Sequence, residues 1–200
     1  MLRPLLFLMV LAVTGQVYAG SLIVLGDSLS AAYKMPAERG WVALLGQRLQ
    51  QQGYDVEVMN ASVSGDTTQN GIARLPRLLE KHPAEIVVIE LGGNDGLRGL
   101  PPFLIRRNLQ KLINMAQQAD AEVVLLGIQV PTNYGPAYTR QFTAIYPDLA
   151  DDYDVVLVPF FMQQVALKPE LMQEDGIHPN ADGQPVLLDT VWPHLEPLLN

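Results

Sequence analysis

The segment SLIVLGDSLS (residues 21–30) places four consecutive apolar residues directly before a glycine, an aspartate and a serine. A short, uninterrupted apolar run bounded by turn residues is typical of a strand buried on both faces, as in a parallel sheet. The polar residues that follow then lie at the carboxyl end of the strand, where open α/β sheets bind their ligands. The segment therefore predicts a buried strand that presents Ser28 at a ligand-binding edge.

Four further apolar runs fit strands, and stretches with helical spacing separate them. The five predicted strands cover residues 22–25, 56–59, 86–89, 123–126 and 155–158. Strands that alternate with helices predict a three-layer α/β/α sandwich with right-handed crossovers. We expect a five-stranded parallel sheet in the flavodoxin-like order 2-1-3-4-5.

The helical spacing also predicts where the helices begin and end. One helix starts near Trp41 and stops at Gly53, a second covers residues 67–81 with a bend at Pro76, and a third follows Pro101 and Pro102. Two later segments contain several prolines. We expect a loop followed by a helix over residues 129–154, and a final helix with a break near Pro193.

The first 19 residues have the pattern of a signal peptide. Arg3 precedes an apolar run over residues 5–13, and small residues stand before a cleavage point after Ala19. The alternative is a membrane anchor, but the run is about half of the ~20 apolar residues needed to span a bilayer. We therefore expect one domain over residues 20–200, periplasmic or secreted, with no stable membrane insertion after the leader is removed.

Charge and cysteine content exclude several classes of partner. The chain has 13 basic and 21 acidic residues, and because Arg3 belongs to the leader, the mature domain has a formal charge of −9. Nucleic acids and anionic membranes are poor partners for such a protein. Without cysteine there are no disulfides and no thiolate nucleophile. We expect a monomer that acts on a small molecule.

Three histidines are candidates for a general base. His82 lies in a polar turn before the third strand, and His194 has only Glu196 as a close acidic neighbour. His178 differs, because the glycine turn after Asp175 can fold that carboxylate back onto the imidazole. A carboxylate on one ring nitrogen leaves the other free to accept a proton. The alternative is that Asp175 and His178 only cap a turn.

Polar loops follow the first three strands and should meet at one edge of the sheet. They contain Ser28, Gly65 and Asn94. Glycine allows backbone N–H groups to approach a ligand, and an amide side chain adds a neutral donor, as an oxyanion hole requires. Each loop alone has a simpler explanation as a turn or a helix cap. Four such signals in order, with His178 last, favour a nucleophilic serine site.

These motifs resemble the SGNH (GDSL-type) hydrolase family, which the chain matches over nearly all of its mature length. The matching blocks are residues 26–30, Gly65, residues 92–95 and residues 175–178. The resemblance implies Ser28 as nucleophile with Asp175 and His178 completing a triad, and an oxyanion hole from the Ser28 and Gly65 N–H groups and the Asn94 amide. More narrowly, the leader, the length, residues 91–99 and the stretch from Tyr146-Pro147 onward look like the bacterial periplasmic thioesterase I, lysophospholipase and arylesterase group.

This resemblance implies hydrolysis of esters and thioesters through an acyl-enzyme, without metal or organic cofactor. Two alternatives remain: a carbohydrate deacetylase of the same fold, which differs in substrate, and a metal-dependent phosphoesterase, which belongs to another reaction class. The second would use four side chains as metal ligands and needs basic residues to hold phosphate, of which the loops contain few. Its ligands would be Asp27, Asp66, Asp95 and His178. A binding protein without catalysis is a third alternative.

The acyl chain needs an apolar wall. Residues 96–102 combine two glycines with Leu97 and Leu100 before Pro101, and they face the segment that contains Tyr134. Glycine hinges and apolar side chains are suited to a lid over a lipid-like tail. An ordinary loop, with its leucines packed into the core, is an equally good interpretation.

Overall fold

The computed structural model describes residues 20–199, except for the side chain of Thr132. Five parallel strands form one sheet in the order β2-β1-β3-β4-β5, which confirms the predicted fold. The strands are β1 (Gly20–Gly26), β2 (Val56–Asn60), β3 (Ile86–Glu90), β4 (Glu122–Leu126) and β5 (Val156–Val158). The signal peptide predicted for residues 1–19 lies outside the described residues.

Six α-helices connect or flank the strands. They are α1 (Trp41–Gln52), α2 (Thr68–Lys81), α3 (Gly93–Leu97), α4 (Pro102–Gln117), α5 (Pro136–Tyr153) and α6 (Gly183–Leu195). The predicted stop at Gly53 is confirmed, since Gly53 caps α1. Residues 129–154 form a loop, a short 3₁₀ turn and then α5, as expected. No helix among residues 20–199 is long and apolar enough to cross a membrane.

One prediction about the helices was wrong, and one short helix was not predicted. The break expected at Pro193 is absent, because α6 continues to Leu195 and only then passes into a 3₁₀ turn. Pro193 removes one backbone hydrogen bond near the end of α6, while Val191 and Leu195 stay fully buried and hold the helix on the sheet. The short helix α3 was not predicted, since its glycines made it look like a loop.

The sheet separates two apolar cores, and alternate residues of each strand enter each one. Ile23 and Leu25 of β1 pack with α2, α4 and α5 on one face. Leu22 and Val24 pack with α1 and α6 on the other face. Burial on both faces explains the uninterrupted apolar runs in the sequence. The packing on both faces therefore holds the carboxyl ends of the strands in place.

Candidate active site

The polar residues that follow the strands meet at the carboxyl edge of the sheet. Ser28 lies in the turn after β1, and Asn94 lies in the first turn of α3, after β3. Asp175 and His178 belong to the loop between β5 and α6. Ser28, Asn94 and His178 all line one cavity. The structure thus brings together side chains that are 150 residues apart in the chain.

Ser28, His178 and Asp175 form a continuous chain of hydrogen bonds. His178 Nε2 lies 2.9 Å from Ser28 Oγ, and His178 Nδ1 lies 2.8 Å from Asp175 Oδ2. With Asp175 ionised, Nδ1 carries the proton and Nε2 is the acceptor for the serine hydroxyl. The geometry is therefore that of an activated serine nucleophile with an oriented base.

The turn around Asp175 explains why that carboxylate is held in its ionised form. Asp175 Oδ1 accepts the backbone N–H groups of Ile177 and His178, each at 3.0 Å. Gly176, which stands between Asp175 and Ile177, has a φ of 65°, in the left-handed region that glycine adopts without strain. The backbone N–H of His178 contributes most to lowering the pKa of Asp175 to about 2, helped by that of Ile177 and the imidazole.

Two residues that the sequence analysis missed support the imidazole and its loop. The ring of Tyr33 lies against that of His178, with 4.3 Å between the ring centroids. Gln173 Nε2 donates to the carbonyl oxygens of Tyr33 and Pro179 at 2.9 and 3.1 Å. Gln173 thereby ties the Ser28 turn to the His178 loop. Neither residue type stands out in a sequence without knowledge of its contacts.

The predicted oxyanion hole includes two backbone N–H groups, those of Ser28 and Gly65. Within residues 20–199, neither the Ser28 N–H nor the Gly65 N–H donates a hydrogen bond. Gly65 has a φ of 85°, so a side chain at this position would strain the backbone. Arg98 holds the Gly65 loop by donating a hydrogen bond to the Gly65 carbonyl at 3.2 Å.

The amide of Asn94 is already engaged. Its Nδ2 donates to Asp27 Oδ2 at 2.8 Å and to the carbonyl oxygen of Asp66 at 3.0 Å. An amide nitrogen has two protons, so both have an acceptor in this structure. To bind a substrate oxyanion, Asn94 must share one proton between two acceptors or release one of these partners.

Two buried carboxyl groups lie directly behind the serine turn. Asp27 is 3% exposed, and Glu90 at the end of β3 is fully buried. Burial raises the pKa of Asp27 to about 6, although the Leu29 N–H and the charge of His178 oppose this. Burial also raises the pKa of Glu90 well above its ordinary value, and the charge of Asp27 adds to the effect. The sequence analysis did not identify Glu90 as a site residue. The available signal was an acidic residue at the end of an otherwise apolar strand.

A cavity of about 560 Å³ extends from Ser28 and His178 and is mostly apolar. Its size is suited to a small-molecule substrate. Much of its wall comes from the loop after β4 and from the long loop between β5 and α6, which also contains His178. The large apolar lining residues are Leu29, Leu97, Ile128, Val130, Pro131, Phe160, Met162, Leu167, Met172 and Ile177.

Of the four residues expected to contact the acyl chain, only Leu97 lines this cavity. Leu100 packs against the core, and its carbonyl accepts the Tyr138 hydroxyl at 2.7 Å. Pro101 caps α4 from an exposed position, and the Tyr134 hydroxyl donates to the carbonyl of Leu97 at 2.7 Å. One leucine of residues 96–102 thus faces the cavity and the other the core.

The four side chains considered as metal ligands have other partners. Asp66 pairs with Arg74 at 2.5 Å, and Asp95 accepts the Thr68 hydroxyl at 2.6 Å. Asp27 binds Asn94 and His178 binds Asp175. Residues 20–199 contain no group of three or more His, Cys, Asp or Glu side chains that could hold a metal ion. The structure therefore gives the phosphoesterase alternative no ligand set.

Comparison with known proteins agrees with this architecture. Residues 24–186 match the GDSL-like Lipase/Acylhydrolase family. The chain is 49% identical over 197 residues to the thioesterase 1/protease 1/lysophospholipase L1 of Escherichia coli K12, covering 98% of this chain and 93% of that protein. It is 52% identical to an arylesterase of Vibrio mimicus over 170 residues, 85% of each chain. The crystal structure of TesA superposes with a TM-score of 0.87 at 51% identity, covering 90% of this chain and 99% of the other.

A sheet with a serine and histidine at its carboxyl edge, together with these matches, defines a class of hydrolase. The chain belongs to the GDSL-like Lipase/Acylhydrolase family. Within that family it groups with the thioesterase I/lysophospholipase L1, arylesterase and TesA proteins, and it is a serine esterase.

Proposed function

We propose that this esterase cleaves acyl esters and thioesters with Ser28 as nucleophile, His178 as general base and Asp175 as the carboxylate that orients the base. The proposal rests on one observation, the two hydrogen bonds of 2.9 and 2.8 Å that join Ser28 to His178 and His178 to Asp175. His178 takes the hydroxyl proton while Ser28 Oγ attacks the acyl carbon, and it then returns the proton to the leaving group. Water hydrolyses the acyl-enzyme in a second, equivalent stage.

The negative charge on the acyl oxygen needs donors, and we assign this role to the Ser28 and Gly65 N–H groups and the Asn94 amide. The free state of the two backbone N–H groups supports the assignment. The Asn94 amide reaches the same region but is shared with Asp27 and Asp66. Its contribution then depends on one N–H bond that turns toward the oxyanion as charge develops.

Replacing Asn94 with alanine tests this role. We expect kcat to fall by about 10²–10³-fold while KM changes little, because the lost donor acts mainly in the transition state. Titration with a phosphonate counts the competent molecules, and steady-state kinetics then gives kcat per molecule. Asn114→Ala on α4, away from the cavity, is the control. If each titrated Asn94→Ala molecule turns over within about threefold of wild type, the amide has no oxyanion role.

The apolar cavity supports an acyl chain as the group that it binds, and the names of the relatives suggest the candidates. We propose acyl-CoA thioesters, aryl esters and lysophospholipids as the substrate classes. A panel of these three classes, assayed with wild type and Ser28→Ala, tests the proposal. Activity on acetylated carbohydrate alone would favour the deacetylase alternative instead.

Filling the cavity should change chain-length preference. Ala166 lines the cavity, and a tryptophan at this position would exclude part of a long acyl chain. Each methylene left unburied costs about 0.8 kcal/mol, so excluding three lowers kcat/KM by roughly 50-fold. We expect this loss for dodecanoyl aryl esters and none for acetyl esters. The control is Ala119→Trp, at an exposed position after α4. An equal loss on both esters would show that the cavity does not hold the chain.

We also propose that the protein is exported and acts as a periplasmic or secreted monomer after cleavage following Ala19. The basic start, apolar run and small residues of residues 1–19 support this proposal. Expression of the full chain in a Gram-negative host, followed by N-terminal sequencing of the periplasmic fraction, tests it. A mature protein that begins at Gly20 is expected, whereas an intact Met1 in the cytoplasm would contradict it.

A further inference from the structure

Glu90 is a buried carboxyl group that the proposed reaction does not use. Its Oε2 accepts the Asp27 N–H at 3.1 Å and the Ser30 hydroxyl at 2.9 Å. Its Oε1 is buried and has no hydrogen-bond partner among residues 20–199. A fully ionised carboxylate would leave this oxygen without a donor, at a large cost in free energy. An oxygen that carries a proton instead acts as a donor.

Among residues 20–199, the charged groups that act on Glu90 include no cation. Asp27 lies next to it, and the buried Tyr146 and Asp95 lie near the pair, while His178 acts on Asp27 from the cavity side. Burial is the main cause that raises the pKa of both groups, and a hydrogen bond between the two carboxyl groups adds to the rise for Glu90 and opposes it for Asp27. Two carboxylates this close do not both ionise readily, so the proton belongs to Glu90, the more deeply buried of the two.

Asp27 connects this proton to the site. Its Oδ1 accepts the Leu29 N–H at 3.1 Å, which fixes the turn that contains Ser28. Its Oδ2 accepts the Asn94 amide at 2.8 Å. An ionised Asp27 is acceptor-only, so it can accept both of these bonds and a third from Glu90. The orientation of Asp27 therefore bears on two of the groups assigned to the reaction.

We propose that Glu90 is a positioning residue that works in its neutral form: it donates a hydrogen bond to Asp27, which in turn holds Asn94 and the Ser28 turn. This inference rests on the roles proposed above for Ser28 and Asn94. A purely structural role would need only the two bonds that Glu90 accepts. The two roles differ in whether the donated bond matters for kcat.

Glu90→Gln and Glu90→Leu separate these roles. Glutamine keeps an oxygen for Asp27 N and Ser30 and an N–H donor for Asp27, so it imitates the neutral acid. We expect its kcat within about threefold of wild type, the effect of one altered neutral hydrogen bond. Leucine removes donor and acceptor, and we expect kcat to fall by about 10²-fold with little change in KM, as for misplaced catalytic groups. Glu85→Gln, exposed just before β3, is the control.

An infrared difference spectrum gives a readout that is independent of activity. At pH 8, wild type minus Glu90→Gln should show the carbonyl band of a protonated carboxylic acid, and the Glu85→Gln control should not. A carboxylate band in its place would overturn the proposal, as would a Glu90→Gln enzyme that loses as much kcat as Glu90→Leu. Full activity in Glu90→Leu would also overturn it. If Glu90→Leu does not fold, the glutamine variant and the spectrum still decide.

Phosphonate labelling separates a failure of this inference from a failure of the proposed function. Wild type that is not labelled at Ser28 would refute the proposed nucleophile, whatever the Glu90 variants do. Wild type labelled at Ser28, with a carboxylate band at Glu90, would refute only the positioning role.

Discussion

Replacing Ser28 with alanine is expected to lower kcat by about 10⁵–10⁶-fold while substrate still binds. Removing the nucleophile eliminates the acyl-enzyme, and only the residual stabilisation from the oxyanion donors and from binding remains. The apolar cavity that binds the acyl chain does not depend on the Ser28 hydroxyl, so KM or the Kd of an unreactive analogue should change little. Steady-state kinetics with an aryl ester and calorimetry with the analogue measure the two quantities.

Ser21→Ala is the matched control for this variant. Ser21 lies near the start of β1, at the end of the strand away from Ser28, and its hydroxyl donates to the Pro83 carbonyl at 2.6 Å. We expect Ser21→Ala to keep full kcat. Substantial turnover in Ser28→Ala, on a preparation free of wild type, would exclude Ser28 as the nucleophile.

The second large effect concerns the base and its carboxylate. We expect His178→Ala to lower kcat by about 10⁵–10⁶-fold and Asp175→Asn by about 10⁴-fold. The asparagine amide would face Nδ1 as a donor in place of the Oδ2 acceptor, which favours the tautomer that carries its proton on Nε2. That nitrogen could then no longer accept the Ser28 proton.

The pH dependence of the rate follows from the same pair. Only the neutral His178 ring can act as the base. Asp175, with a pKa of about 2, stays ionised across the working range and adds no step above pH 4. His82→Ala and His194→Ala are the controls and should keep the wild-type rate and profile. Loss of activity in either of them, with His178→Ala active, would contradict the assignment.

The fold could be predicted from the sequence because the pattern that identifies each strand lies within a short stretch of the chain. Four of the five strands carry a continuous apolar run, as in β1, where Leu22 and Ile23 enter different cores on opposite faces of the sheet. The exception is β2, which Glu57 interrupts. The helix α3 escaped prediction because Gly93 and Gly96 are poor helix formers, while its backbone is fixed by tertiary contacts such as that of Asp95 with Thr68. The break expected at Pro193 failed because packing outweighed the loss of one hydrogen bond.

The site was predictable only where its residues have an unusual chemistry or spacing. The glycine turn between Asp175 and His178 was visible in the sequence, and the structure brings that pair to Ser28. The wall of the cavity was not visible, because Phe160, Met162 and Leu167 read as ordinary core or loop residues. Leu167 is in fact 92% exposed at the cavity.

Buried polar groups were the hardest to predict. Glu90 and Asp27 are 63 residues apart, and their contact depends on the register of β1 against β3, which pairs Gly26 with Glu90. A sequence identifies a carboxyl group but not its depth or its neighbours. The protonation state of such a group follows only from the folded structure.

The most direct test of the central claim is to map the covalent adduct of a phosphonate or sulfonyl fluoride by mass spectrometry. Ser28, activated by His178, should be modified once per chain, with complete loss of turnover, and His178→Ala should react far more slowly. Incubation with a chelator should leave the activity of unmodified enzyme intact. An adduct on another residue, or loss of activity in chelator that a divalent ion restores, would contradict the serine mechanism proposed for this site.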